Sequence, residues 1–190
     1  MINIGVLGST NGTDLQAILD AIEKKIINAS VKIVISNKEN ALILKKAKNH
    51  GVRFKYLSHI DKTRKEFDQQ VSAYLESNNV ELILLIGFMR ILSSAFCQHW
   101  KDKILNVHPS LLPKYAGGMD INVHEQVLKN GDKKTGCTIH FVTKEVDSGP
   151  ILVQKSCQVI QDDTADTLKQ KVQALEGEAF IEAINLITKK

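Results

Sequence analysis

Residues 81–87, Glu-Leu-Ile-Leu-Leu-Ile-Gly, restrict the fold of this chain more than any other stretch. The segment has no polar alternation, so it cannot be a half-exposed strand. It reads as a strand buried on both faces, as in a parallel sheet covered by helices. The flanking sequence agrees. Strands are predicted over residues 2–7, 31–36, 53–57 and 103–108, and helices over 15–27, 39–50, 62–77 and 93–101. Helical spacing puts Leu15, Ile18, Leu19, Ile22 and Ile26 on one face, and Phe67, Val71, Tyr74 and Leu75 on another. Five strands alternating with helices define an α/β fold with a doubly wound, mostly parallel sheet and right-handed crossovers. After Pro109 the pattern changes. A long loop runs to about residue 120 and a helix covers 122–128. Strands over 135–142 and 150–160, separated by a turn, can pair antiparallel as an edge extension. A last helix over 164–187 takes Thr164 or Asp163 as its cap. Without a repeat, linker or low-complexity tract, residues 1–190 are expected to form a single domain.

Composition removes several classes of function. The net charge is only +4 and 5% of residues are aromatic, with no basic patch interleaved with rings, so nucleic-acid binding is disfavoured. A small anionic ligand remains compatible with this balance. Cys97, Cys137 and Cys157 are odd in number and far apart, which argues against disulfides or structural zinc and for a reducing compartment. The longest apolar run, residues 82–89, is far short of the ~20 residues a membrane span requires. The N-terminus enters a strand without a basic, cleavable leader, so a cytoplasmic location is expected.

Three stretches carry chemistry. Strand 103–108 ends in Asn106-Val107-His108, followed by Pro109, which cannot extend a ladder. Alternation points Asn106 and His108 to one side and Leu105 and Val107 to the other. An amide and an imidazole therefore stand together at a strand end, where open α/β sheets bind ligands.

The turn Gly8-Ser9-Thr10-Asn11-Gly12-Thr13-Asp14 lies between a strand and a helix. It is either a phosphate cradle built on unpaired helix N–H groups, or a plain turn with Asp14 or Thr13 as N-cap. It matches neither the dinucleotide nor the Walker glycine pattern, so NAD and ATP are not indicated. Asp14 would repel a phosphate if ionised. It could instead cap the helix, or hold a ribose hydroxyl or an amine. Segment Gly87-Phe88-Met89-Arg90-Ile91-Leu92 could wall a pocket for a flat aromatic ligand. Composition alone favours core packing there, with Arg90 reaching to solvent.

The third stretch is Val146-Asp147-Ser148-Gly149-Pro150, a strong turn signal. If this turn lies over the Asn106/His108 strand end, Asp147 faces His108 and favours its charged form. An imidazolium and an amide aimed at one point stabilise a developing oxyanion, and the carboxylate can relay a proton through water. Such a trio suits acyl or formyl transfer to an amine without a covalent intermediate. His124 and His140 read as structural histidines, and the His and Asp spacings match no metal motif.

These stretches together resemble the 10-formyltetrahydrofolate-dependent formyltransferases. The resemblance rests on Asn11-Gly12-Thr13-Asp14-Leu15-Gln16-Ala17-Ile18, Gly87 to Leu92, Asn106-Val107-His108-Pro109-Ser110-Leu111-Leu112-Pro113, and Thr138-Ile139-His140-Phe141-Val142 leading to Asp147-Ser148-Gly149-Pro150. The stretches occur in family order over nearly the whole chain. Within the superfamily, the Gly12 turn and the bare chain length point to the branch acting on glycinamide ribonucleotide. The resemblance implies a formyltransferase fold, 10-formyltetrahydrofolate as co-substrate, glycinamide ribonucleotide as acceptor, no metal, no membrane or nucleic-acid partner, and a monomer or homodimer. It implies Asn106, His108 and Asp147 as catalytic residues. Gly12, Thr13, Asp14, Gln173 and Glu176 would bind the acceptor. Arg64, Met89, Arg90, Ile91, Leu92, Asn106 and Thr143 would contact folate, with residues 143–147 as a loop over the pterin.

Two features depart from the family pattern. Gly12-Thr13-Asp14 stands where Gly-Ser-Asn is usual, and the stretch from Gly117 to His124 is longer than usual. A formyltetrahydrofolate deformylase would share the trio, but usually has an extra N-terminal domain. A methionyl-tRNA formyltransferase would need a C-terminal RNA-binding domain. A non-catalytic nucleotide-binding module would have no need of the trio.

Overall fold

The computed structural model of the protein describes residues 1–118 and 121–189. In chain order the elements are β1 (Ile2–Gly8), α1 (Thr13–Glu23), β2 (Ala29–Ser36), α2 (Leu42–Asn49), β3 (Phe54–Tyr56), α3 (Arg64–Ser77) and β4 (Leu82–Ile86). They continue with α4 (Ser94–His99), β5 (Ile104–His108), α5 (Ile121–Lys129), β6 (Lys134–Phe141), β7 (Ile151–Gln158) and α6 (Ala165–Thr188). One sheet contains all seven strands in the order β3-β2-β1-β4-β5-β6-β7. The first five run parallel, and β6 and β7 add antiparallel at the edge. This is the architecture that the strand–helix alternation and the late turn signal predict.

Each face of the sheet has its own core. Ile4, Val6, Leu84, Ile86, Leu105 and Ile139 pack with Leu15 and Ile18 of α1, Ile43 of α2 and Phe180 and Ile184 of α6. Leu7, Ile35, Ile83, Leu85 and Ile104 pack on the other side with Phe67, Val71 and Leu75 of α3 and Phe96 and Trp100 of the α4 region. Every residue of β4 is buried, because it lies between β1 and β5 with helices on both sides. Phe67 is fully buried. Phe67→Ala should therefore cost about 3–5 kcal/mol of stability in a denaturant titration, as truncation of a core aromatic does.

The sequence-based elements hold, with three corrections. Helix α1 stops at Glu23, and Ile26 is 55% exposed instead of completing the apolar stripe. The reason is local: Lys25 turns into the left-handed region (φ 57°), which ends the helical period. Neither Asp14 nor Thr13 caps α1. Gly12 is the N-cap, with φ 65°, and a Cβ there would meet the Ile43 side chain at 2.5 Å. Only glycine fits both constraints. Arg90 does not reach into solvent, because its guanidinium stacks 4.7 Å above the Phe67 ring. Thr164 is the cap of α6, in a reciprocal pair with Thr167.

The order of strands reverses between β1 and β4, since β2 and β3 lie beyond β1 while β5 to β7 lie beyond β4. In an open α/β sheet the crevice at that switch point is the ligand site.

Candidate active site

A cleft of about 960 Å³ opens at the carboxyl ends of β1, β4 and β5. Its walls are the segments that leave those strands, together with residues 142–147 and one face of α6. Gly12, Thr13, Asp14, Met89, Arg90, Ile91, Leu92, Asn106, His108, Thr143, Asp147, Gln173 and Glu176 all line it. Arg64 does not. It is the first residue of α3, just after the Thr63 cap, and is exposed outside the cleft lining. The expected long stretch from Gly117 to His124 includes Met119 and Asp120, which lie outside the described residues.

The centre of the cleft is set by how the chain leaves β5. Antiparallel pairing of β5 with β6 places Asn106 opposite His140 and His108 opposite Thr138. Thr138 Oγ1 donates to the Ser110 carbonyl at 2.7 Å and accepts from the Leu112 amide at 3.0 Å. Gln154 of β7 donates to both Thr138 Oγ1 and the Leu112 carbonyl. These hydrogen bonds pin the Ser110–Leu112 exit, and His108 is fixed at the strand end.

Asp147 arrives from the turn between β6 and β7. It takes a left-handed backbone (φ 52°), which Asp tolerates better than most residues. Gly149 allows the turn to lie against the end of β6, because any Cβ there would collide with the Phe141 carbonyl. Gly149→Ala should lower both stability and activity by displacing this turn, read by thermal unfolding and kcat together.

Asp147 Oδ2 lies 3.1 Å from His108 Nδ1 and accepts from the Gly117 amide at 2.8 Å. Its Oδ1 lies 3.5 Å from His140 Nε2. Burial works to raise the Asp147 carboxyl, but hydrogen bonds from His108, His140 and the Gly117 amide outweigh it, with the His108 charge adding to them. The group is held well below the usual carboxylate range, so it is ionised at any working pH. His108 Nε2 lies 3.0 Å from the Tyr115 carbonyl. Both ring nitrogens thus face acceptors, which only a ring donating from both can satisfy.

His140 is the residue whose part in the site the sequence reading missed. Its Nε2 is 3.2 Å from Asn106 Nδ2, and its Nδ1 is 3.0 Å from the Phe141 carbonyl. Nε2 therefore faces both the Asn106 amide and the Asp147 carboxylate and joins the two. The signal was the β5–β6 register, which spacing along one strand does not contain.

The two ends of the cleft differ. At one end Met89 and Ile91 are exposed apolar side chains beside Arg90. Ser9 Oγ accepts from the Met89 amide at 3.1 Å and donates to Asn37 at 2.6 Å, which ties this wall to β1 and β2. At the other end are the Gly12 turn and α6, which presents Lys169, Gln173 and Glu176 on one helical face.

The doubly wound sheet with its antiparallel edge thus carries an Asn-His-Asp cluster at its switch-point cleft. Residues 2–184 match the formyl transferase family, and the chain belongs to that family. It is 41% identical over 177 residues to the phosphoribosylglycinamide formyltransferase of Escherichia coli (strain K12), covering 92% of this chain and 82% of that one. It is 42% identical over 187 residues to the trifunctional purine biosynthetic protein adenosine-3 of Gallus gallus, covering 98% of this chain but only 18% of that protein's length. The crystal structure of glycinamide ribonucleotide transformylase 1 from Symbiobacterium toebii superposes with a TM-score of 0.95 at 38% identity, over all of this chain and 88% of that one.

Proposed function

We propose that the protein transfers the formyl group of 10-formyltetrahydrofolate to the amine of glycinamide ribonucleotide, giving formylglycinamide ribonucleotide and tetrahydrofolate in de novo purine (IMP) biosynthesis. The observation that carries this reading is the convergence of Asn106, His108 and Asp147 between an apolar wall and a helix N-terminus. Relatives at about 40% identity named for this reaction support it. The protein acts as one cytoplasmic catalytic domain. Among the described residues no helix is long and apolar enough to cross a membrane.

Folate lies against Met89–Leu92 and Thr143. The acceptor lies with its phosphate at the Gly12–Asp14 turn and its ribose near Gln173 and Glu176. Arg64, exposed and outside the cleft lining, is the remaining folate contact. The acceptor amine attacks the formyl carbon, forming a C–N bond and turning the carbonyl oxygen into an oxyanion. Asn106 Nδ2 and His108 Nε2 donate to that oxygen, Nε2 exchanging the Tyr115 carbonyl for it. Asp147 stabilises the positive imidazole and, staying ionised, orients a water that passes the proton shed by the attacking nitrogen toward N10. The C–N10 bond then breaks, N10 takes up a proton, and the charge balance is restored. No covalent enzyme intermediate is required.

Tetrahydrofolate release, followed with and without glycinamide ribonucleotide, tests this assignment. The transferase reading predicts release only with the ribonucleotide. Release without it indicates a deformylase, and no release in either case contradicts both.

A further inference from the structure

We propose that Asp14 binds the acceptor as a neutral carboxylic acid, donating a hydrogen bond to the anionic group held at the N-terminus of α1, so that acceptor affinity falls as this carboxyl ionises. The inference rests on the proposed function, which places the acceptor's phosphate at this turn.

Asp14 is the second residue of an 11-residue helix whose N-cap, Gly12, offers no side chain. The first-turn N–H groups there have no helical partners, and the helix dipole favours an anion. Asp14 is only 5% exposed, yet it lines the cleft, and its Oδ1 has no hydrogen-bond partner. A buried carboxylate with an unpaired oxygen is costly, whereas a buried carboxylic acid has a proton to donate and loses far less.

The surrounding charges compete, and burial decides the balance. From α2, Lys46 draws Asp14 toward ionisation, but its Nζ donates to the Gly12 carbonyl at 3.1 Å. From β6, the Cys137 thiol is pushed up to about 12 by burial and by the charges of Glu176 and Asp14. From α6, Glu176 is a second carboxyl close to the same thiol, and Lys169 lines the same cleft. Burial prevails over Lys46 and raises the Asp14 carboxyl to about 7. A phosphate dianion arriving beside it raises it further, since like charges oppose ionisation. The acid form thus turns a repulsive neighbour of the phosphate into a donor.

The test compares wild type with Asp14→Asn, which keeps the shape and a donor but cannot ionise. The KM for glycinamide ribonucleotide is measured from pH 6 to 9 with folate saturating. Titration of the acceptor's own amine cancels in the ratio of the two KM values. That ratio should rise above pH 7 toward about tenfold per pH unit, the limit for one linked proton. A flat ratio, with ribonucleotide-dependent turnover intact, overturns this inference alone. Absence of such turnover in the wild type overturns the proposed function and this inference with it.

Stability supplies a second readout that needs no ligand. A carboxyl raised on folding contributes most below its unfolded value of about 3.9 and loses that contribution as pH rises through the folded value. The Tm of wild type relative to Asp14→Asn should therefore fall between pH 4 and pH 8. A constant difference contradicts a protonated Asp14.

Discussion

His108→Ala lowers kcat by about 100- to 1,000-fold with little change in KM for either substrate, the loss expected when one donor to a developing oxyanion is removed. The ring is buried and held between the Asp147 carboxylate and the Tyr115 carbonyl. Truncation removes a donor that acts fully only when the formyl oxygen becomes negative, so the ground state is little affected. A folding defect is excluded by the unfolding transition of the variant. Near-normal kcat would remove His108 from the mechanism.

Asp147→Ala has the second large effect, also about 100- to 1,000-fold in kcat. Its carboxylate is shared by His108, His140 and the Gly117 amide, so its loss unbalances three groups. Groups that act as a unit are not additive. The double variant His108→Ala/Asp147→Ala should be scarcely slower than the worse single variant. Multiplied losses would mean that the two residues act separately. Because the His and Gly117 contacts hold Asp147 far below the ordinary carboxylate range, its ionisation should leave no acid limb in kcat above about pH 4. The sign follows from the depressed value: in the folded enzyme the ionised form persists well below the unfolded value of about 3.9.

Periodicity was sufficient for the sheet. The unalternated apolar run of β4 demanded two covered faces, and the turn between the last two strands allowed the antiparallel return that is found. Where the reading failed, the deciding contact was non-local or the backbone left its period. Ile26 kept helical spacing in sequence while Lys25 had already ended the helix. The core-packing alternative for residues 87–92 sent Arg90 to solvent, because the Phe67 ring that receives it lies far off in sequence, on α3.

The candidate site was legible to the same degree. Asn106 and His108 on one strand face followed from alternation, whereas Asp147 could be paired with them only conditionally, since a turn's position over a strand end depends on β6. His140 was missed because its link to Asn106 is a register between two strands. Asp14 stood out in sequence as a carboxylate in a phosphate turn, but its burial depends on tertiary packing that the sequence does not show.

The central claim is that the cleft passes a formyl carbon directly from folate to the ribonucleotide amine. A single turnover with 10-formyltetrahydrofolate labelled at the formyl carbon, followed by mass spectrometry, tests it most directly. Label in formylglycinamide ribonucleotide, with none in formate, is the predicted result. Label in formate, with the ribonucleotide unmodified, would contradict the account.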